Sequence, residues 1–254
     1  MTIEEFIYKS GVAGVSEPEM DTFTVNFTYK TSVRSIPDSW DWSKLGKVSA
    51  VGNQGSCRSC WAYSATGVME GQYAIKYKKL VTLSTQQLID CMHQGKGCLD
   101  SMTFPHIAIN SAAKKGGIMP DSEYRYLGFQ TACRFDVTRA VARIKNALRY
   151  VVTGEEQLRE LVYSYGPVAA GFLISSGFPK YRRGIATAEN FQCNVRRLLN
   201  HSVLIVGFGT AEGVPYWIIK NSHGAHWGEQ GYFRLKRGDN PCNLMDYIAT
   251  VYLL

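Results

Sequence analysis

The sequence predicts an α+β fold of two unlike lobes, a helical one followed by a strand-rich one, with a cleft between them. Helix signals fill the first half, over roughly Cys60–Tyr77, Leu83–Cys91 and Phe104–Lys115. Strand patterns separated by glycine-rich turns fill the second half from Val168 onward. The third observation is where reactive residue types fall. Cys60 opens the first helix, His201 opens one strand and Asn221 closes the next. At 254 residues and 45% apolar content the chain is long enough for one large core or two smaller ones.

Taken in order, residues 1–35 read as an arm laid along a surface rather than part of a core. MTIEEF starts a short helix with Thr2 as cap, and an extended, alternating DTFTVNFTYKTSV follows. Asn26-Phe27-Thr28 fits a glycan acceptor. Between Ile36 and Ser56 lie a proline turn, a Trp-Asp-Trp cluster and a strand-like KVSAV. The Cys60 helix is uninterrupted by proline, and Ala62, Ala65, Val68, Met69, Tyr73 and Ile75 give it an apolar face. In the next helix Ser84 caps, with Gln87 three residues on; the third ends at Gly116-Gly117. A fourth helix, Glu155–Tyr165, is closed by Gly166-Pro167. Then come the strands VAAGFLI, HSVLIVGFG, VPYWIIKN, GYFRLKR and DYIATVYL, arranged as an antiparallel sheet or barrel.

Composition narrows the function. The net charge of +7 is spread in isolated basic pairs, such as Arg182-Arg183 and Arg196-Arg197, without the aromatic-interleaved stripes of nucleic-acid binders. No apolar run reaches membrane-spanning length, and no secretory signal is visible in the first thirty residues. The seven cysteines are an odd number, which in an oxidised protein leaves one thiol over as a reactive group. Spacing alone does not decide the pairing. Seven reduced, buried cysteines in a cytosolic protein are the plain alternative.

The chemistry gathers on QGSCRSCWAYS, residues 54–64. A sulfur at a helix N-terminus faces the positive end of the macrodipole and unpaired N–H groups, and both favour the thiolate. Such a nucleophile needs a base, a group to orient that base, and donors for an oxyanion. If the strands bearing His201 and Asn221 form a hairpin, the amide can fix the imidazole tautomer. Gln54 then offers a side-chain donor, together with the backbone N–H of Cys60. Alternatively, Cys57-x-x-Cys60 is a redox dithiol or half of a zinc site, although no second close pair exists. His93, His106 and His226 read as surface or turn residues, and Trp217 and Trp227 as packing.

QGSCRSCW, NHSVLIVGFG and YWIIKNSHGAHWGEQGYF resemble, in order and spacing, the papain-like cysteine proteases. The likeness runs over about residues 36–254 and is of the cathepsin L type. Residues 1–35 resemble the tail of that family's inhibitory propeptide, crossing the cleft and, without the propeptide's long helices ahead of it, inhibiting weakly. The resemblance implies a helical lobe over about 45–145 and a β-barrel-like lobe over about 146–254. It implies an endopeptidase with Cys60 as nucleophile, His201 as base and acid, Asn221 as orienter and Gln54 as oxyanion donor. It pairs Cys57 with Cys98, Cys91 with Cys133 and Cys193 with Cys242. Substrate would meet Arg58, Asp100, Ser101, Met102, Gly171, Leu199, Tyr247 and Trp227. No cofactor or metal is implied. The expected partners are protein or peptide substrates, the chain's own propeptide and cystatin-type inhibitors, for a monomer that is lysosomal, endosomal or secreted.

Four positions depart from the family pattern. Arg58 stands for a glycine on the first subsite, and Leu99-Asp100-Ser101 stands for Asn-Gly-Gly. His223 replaces a tryptophan that shields the Asn–His hydrogen bond, so water entry and weaker base orientation are expected. Tyr247 occupies the floor of the second subsite, which is expected to be apolar and shallow. A catalytically weak homologue that serves as a binding protein is the rival reading.

Overall fold

The computed structural model describes residues 24–26 (backbone only), 35–92, 97–98, 103–193 and 198–254. The expected helix at Thr2, the side chain of Asn26, His93, the subsite residues Leu99, Asp100, Ser101 and Met102, and the pair Arg196-Arg197 lie outside them.

The elements run β1 (Thr24–Asn26), β2 (Trp40–Asp41), α1 (Cys60–Tyr77), α2 (Thr85–Cys91), α3 (Pro105–Lys115), β3 (Ile144–Val151) and α4 (Glu155–Tyr165). They continue through β4 (Val168–Phe172), β5 (Ile185–Ala186), α5 (Ala188–Phe191), β6 (His201–Ala211), β7 (Val214–Lys220), β8 (Tyr232–Lys236) and β9 (Ile248–Leu253). The strands form an open sheet in the order β1-β3-β9-β4-β6-β7-β8-β5, with β2 pairing to β6. The two end strands, β1 on β3 and β5 on β8, pair in parallel, and the other pairs are antiparallel.

Two cores account for the fold. One is aromatic: Phe172, Phe178, Phe191, Phe208, Trp217 and Phe233 are all buried on the strand-rich side. The other gathers Trp61, Val68, Met69, Leu88 and Ile109 from the helices with Ala147, Ala169, Leu204, Val206 and Val251 from the strands. α1 is the element between helices and sheet, and it is buried on more than the single face its apolar residues suggest. Ser64, Thr66 and Glu70 are buried as well, whereas Ile75 is only half-buried. Gly67 lets α1 close on β6, because a Cβ there would stand 2.9 Å from Leu204 Cδ2.

The buried charge on α1 is satisfied rather than stranded. Glu70 accepts from the Leu83 N–H at 2.8 Å and from the Ser49 hydroxyl, and Lys220 Nζ donates to Ser49 Oγ at 3.0 Å. Burial pushes the Glu70 carboxyl up and the Lys220 ammonium down. This network ties α1 to the last residue of β7, next to Asn221.

Ser84 accepts from the Gln87 N–H at 2.9 Å, as a cap should. The Gln87 side chain itself turns to Gly117 and Met119. KVSAV is not a strand: the Lys47 N–H donates to Trp42 O and the Ser49 side chain serves Glu70. In exchange, β3 is a strand that sequence periodicity did not reveal. A bulge between Ile144 and Asn146 breaks its two-residue alternation. The cysteines pair as Cys57–Cys98, Cys91–Cys133 and Cys193–Cys242, which leaves Cys60 free and buried. The loops span 41, 42 and 49 residues. In the chain-entropy model each closure contributes up to about 4 kcal/mol. Among the described residues, no helix is long and apolar enough to cross a membrane.

Candidate active site

Cys60 is the first residue of α1, after Ser59 in the capping position. The Ser59 hydroxyl does not cap the helix; it pairs with the Tyr126 hydroxyl at 2.9 Å. No acidic residue sits in the first turn to repel an anion. The sulfur takes hydrogen bonds from the backbone at Cys60, Trp61 and Ser202 and from the Ser202 hydroxyl, all of which favour its charged form. Ser202 directly follows His201 at the start of β6, so the Cys60 sulfur meets the strand that carries the imidazole. Burial nevertheless dominates and pushes the Cys60 thiol up to about 12. A thiolate here therefore needs a positive partner.

β6 and β7 do form the hairpin required to unite His201 and Asn221. His201 Nε2 meets Asn221 Oδ1 at 2.8 Å, with both residues buried. An amide oxygen only accepts, so this nitrogen carries its hydrogen and the ring's other nitrogen is the one left for proton transfer. The far end of the same amide, Asn221 Nδ2, lies 2.9 Å from His223 Nδ1. The two imidazoles stack with centroids 5.2 Å apart and planes inclined by 30°. At position 223, then, a flat ring lies beside His201 and contacts its asparagine.

Gln54 is buried and doubly tied to Ser222. Its N–H donates to Ser222 O at 2.8 Å, and the Ser222 hydroxyl donates to Gln54 Oε1 at 2.6 Å. With the oxygen so engaged, the NH2 end points the other way, where one contact is Cys57 O at 3.0 Å. The Tyr126 hydroxyl holds the Gln54 carbonyl at 2.8 Å. Ser202, Ser222 and Tyr126 were not singled out from sequence. The two serines carried a faint signal, since each is a small hydroxyl residue immediately after His201 or Asn221.

A model of the papain family cysteine proteases matches residues 36–252. The chain belongs to the papain family. Its relatives include a viral cathepsin of Spodoptera litura multicapsid nucleopolyhedrovirus, 41% identical over 218 residues, covering 86% of this chain and 62% of the viral protein. Mouse pro-cathepsin H is 39% identical over 235 residues, covering 90% and 68% of the two chains. A solved procathepsin L2 from the larval midgut of Tenebrio molitor superposes with a TM-score of 0.89 at 33% identity, covering 100% of this chain and 81% of that one. The chain thus spans about three-fifths of the length of the viral relative.

Around this papain-family centre, the residues expected at the subsites fall into two groups. Gly171, Leu199 and Tyr247 meet: a Cβ on Gly171 would lie 2.3 Å from Leu199 Cδ1 and 3.1 Å from Tyr247 Cβ. Tyr247 is buried, and its ring lies 4.9 Å from that of Phe104. Its hydroxyl bonds to the His106 backbone N–H at 2.9 Å and to His106 Nδ1 at 2.7 Å. His106 is therefore a buried partner, not the surface or turn residue expected; burial, with Arg149 adding, lowers it to about 4. Trp227 packs at a tilt against Phe178, with centroids 4.7 Å apart, and lies 5.6 Å from Tyr181, within the aromatic core. Arg58 is half-buried beside the first disulfide, its N–H donating to Cys98 O at 3.2 Å.

Proposed function

We propose that this chain is a cysteine endopeptidase acting through Cys60, His201, Asn221 and Gln54. The observation that supports this best is the sulfur's setting. It is the free cysteine, held by helix N–H groups and by Ser202, the residue that follows an imidazole whose Nε2 meets an asparagine. Because burial opposes an isolated thiolate, the proton goes to His201 and the charged pair forms together. The thiolate attacks the scissile carbonyl carbon and forms a C–S bond. The resulting oxyanion is met by Gln54 Nε2 and the Cys60 N–H, a donor type worth on the order of 3 kcal/mol of barrier. His201 gives its proton to the leaving nitrogen as the C–N bond breaks. Water, deprotonated by His201, then attacks the thioester, releasing the acid and restoring the thiol–imidazole pair.

Protein or peptide chains are the substrates, bound between a helical lobe of about 45–145 and a β-rich lobe of about 146–254. The wall made by Gly171, Leu199 and Tyr247 gives a shallow apolar second subsite, with Met102 completing it. Arg58, Asp100, Ser101 and Trp227 border the neighbouring subsites. Residues 1–35 act as the chain's own propeptide; the pairing of β1 with Arg149–Val151 on β3 supports an edge-strand attachment. Cystatin-type inhibitors are the expected protein ligands of the cleft, and the enzyme works as a monomer in a lysosomal, endosomal or secreted setting. Turnover of fluorogenic peptides, with Cys60→Ala as control, tests the proposal. Hydrolysis that is lost in the control supports it, and equal rates in both proteins overturn it.

A further inference from the structure

We propose that His223 is a positioning residue which, through Asn221, holds His201 in its proton-carrying state. This rests on the reading of His201 as the base. Asn221 has one accepting end and one donating end. Its oxygen faces His201 Nε2 and its NH2 faces His223 Nδ1, at 2.8 and 2.9 Å. The first contact requires a hydrogen on His201 Nε2. The second requires a bare nitrogen on His223, so His223 is neutral with its hydrogen on Nε2. His201 can become an imidazolium without disturbing either bond. His223 cannot, because a hydrogen on Nδ1 would oppose the amide's own hydrogens. To accept it, the amide would have to turn over, which would point NH2 at His201 and remove the acceptor that its imidazolium needs. One asparagine therefore makes the two rings exclusive holders of positive charge and assigns that charge to the ring beside the sulfur.

The surroundings of His223 support the same assignment. It faces the His201 ring at 5.2 Å, Phe178 at 6.4 Å and Trp227 at 5.9 Å, and its backbone pairs with that of Asn53. Among these described neighbours His201 is the titratable one; His226, on the same loop, is exposed. Burial first, and then the charge of His201, hold the His223 imidazole well below its ordinary value. The clamp thus stays closed in the charged form that attacks.

Two substitutions separate the hydrogen bond from the ring. His223→Phe keeps a flat ring but loses the acceptor. His223→Asn loses the ring but puts an oxygen where Nδ1 was, and it does not titrate. With fluorogenic peptide and the full chain, the Phe variant should lose about tenfold in kcat at unchanged KM, the equivalent of one hydrogen bond. The alkaline limb of its kcat/KM profile should move down by about one pH unit as His201 gives up its proton more readily. The Asn variant should stay within about threefold of the parent and keep that limb. Equal rates in both variants, or a slower Asn variant, overturn the proposal. Imidazole nitrogen NMR of the parent supplies a check without mutation: His223 must be the neutral Nε2–H tautomer, and a protonated or Nδ1–H form refutes the clamp. If His201→Ala keeps full activity, the underlying base assignment fails instead.

Discussion

Replacing Ser222 by alanine should slow the chemical step while leaving substrate binding alone. Ser222 is 3% exposed and Gln54 is 1% exposed, and the serine hydroxyl donates to the amide oxygen at 2.6 Å. Removing it takes this hydrogen bond from a buried carbonyl oxygen, at a cost of about 1–3 kcal/mol. The amide can recover part of that by turning over, which would aim oxygen rather than NH2 at the developing oxyanion. The ceiling is the loss of one oxyanion donor, about 3 kcal/mol. A kcat loss of about ten- to thirtyfold at unchanged KM is therefore expected for Ser222→Ala. A double-mutant cycle with Gln54→Ala, read by steady-state hydrolysis, decides the mechanism. Because the serine acts through the glutamine, the double variant should be no slower than Gln54→Ala alone. Losses that simply add would refute the coupling.

Two further expectations concern Tyr247 and His106. Since His106 in the fold is lowered from 6.5 to about 4, its neutral form contributes stability above pH 6.5. That contribution falls away as pH drops toward 4, by up to about 3 kcal/mol. Chemical denaturation between pH 7 and 4 should show this slope in the parent, and His106→Asn, whose amide does not titrate, should flatten it. Tyr247→Ala should deepen the second subsite, raising kcat/KM for phenylalanine over alanine at the matching substrate position by about tenfold. A peptide-library profile identical to the parent's would show that Tyr247 does not line that subsite.

The readable parts of the fold were those punctuated by local chemistry. α3 begins at Pro105 and ends on Gly116 at φ 97°, α4 stops at Gly166 at φ 123°, and α2 begins after a Ser84 cap whose hydrogen bond is present. β3 was hidden because its bulge shifts the alternation, and KVSAV misled because strand propensity does not supply a pairing partner. In the candidate site, Cys60, His201, Asn221 and Gln54 stand out by residue type, and the hairpin that unites His201 with Asn221 is present. Their supports do not. Ser202 and Ser222 look like ordinary linkers, and Tyr126 reaches Gln54 across 72 positions. The buried His106 bonds to a tyrosine 141 residues away, beyond any local pattern. The cysteine pairing came with the family likeness; spacing alone left it open.

The charged pair itself is tested most directly by the pH dependence of Cys60 alkylation with iodoacetamide, followed by mass spectrometry. Labelling faster than that of a free thiol already at pH 5–6, and lost in His201→Ala, is the expected result. A rate that stays negligible until strongly alkaline pH, as burial alone would dictate, and that ignores His201, would contradict the thiolate–imidazolium mechanism.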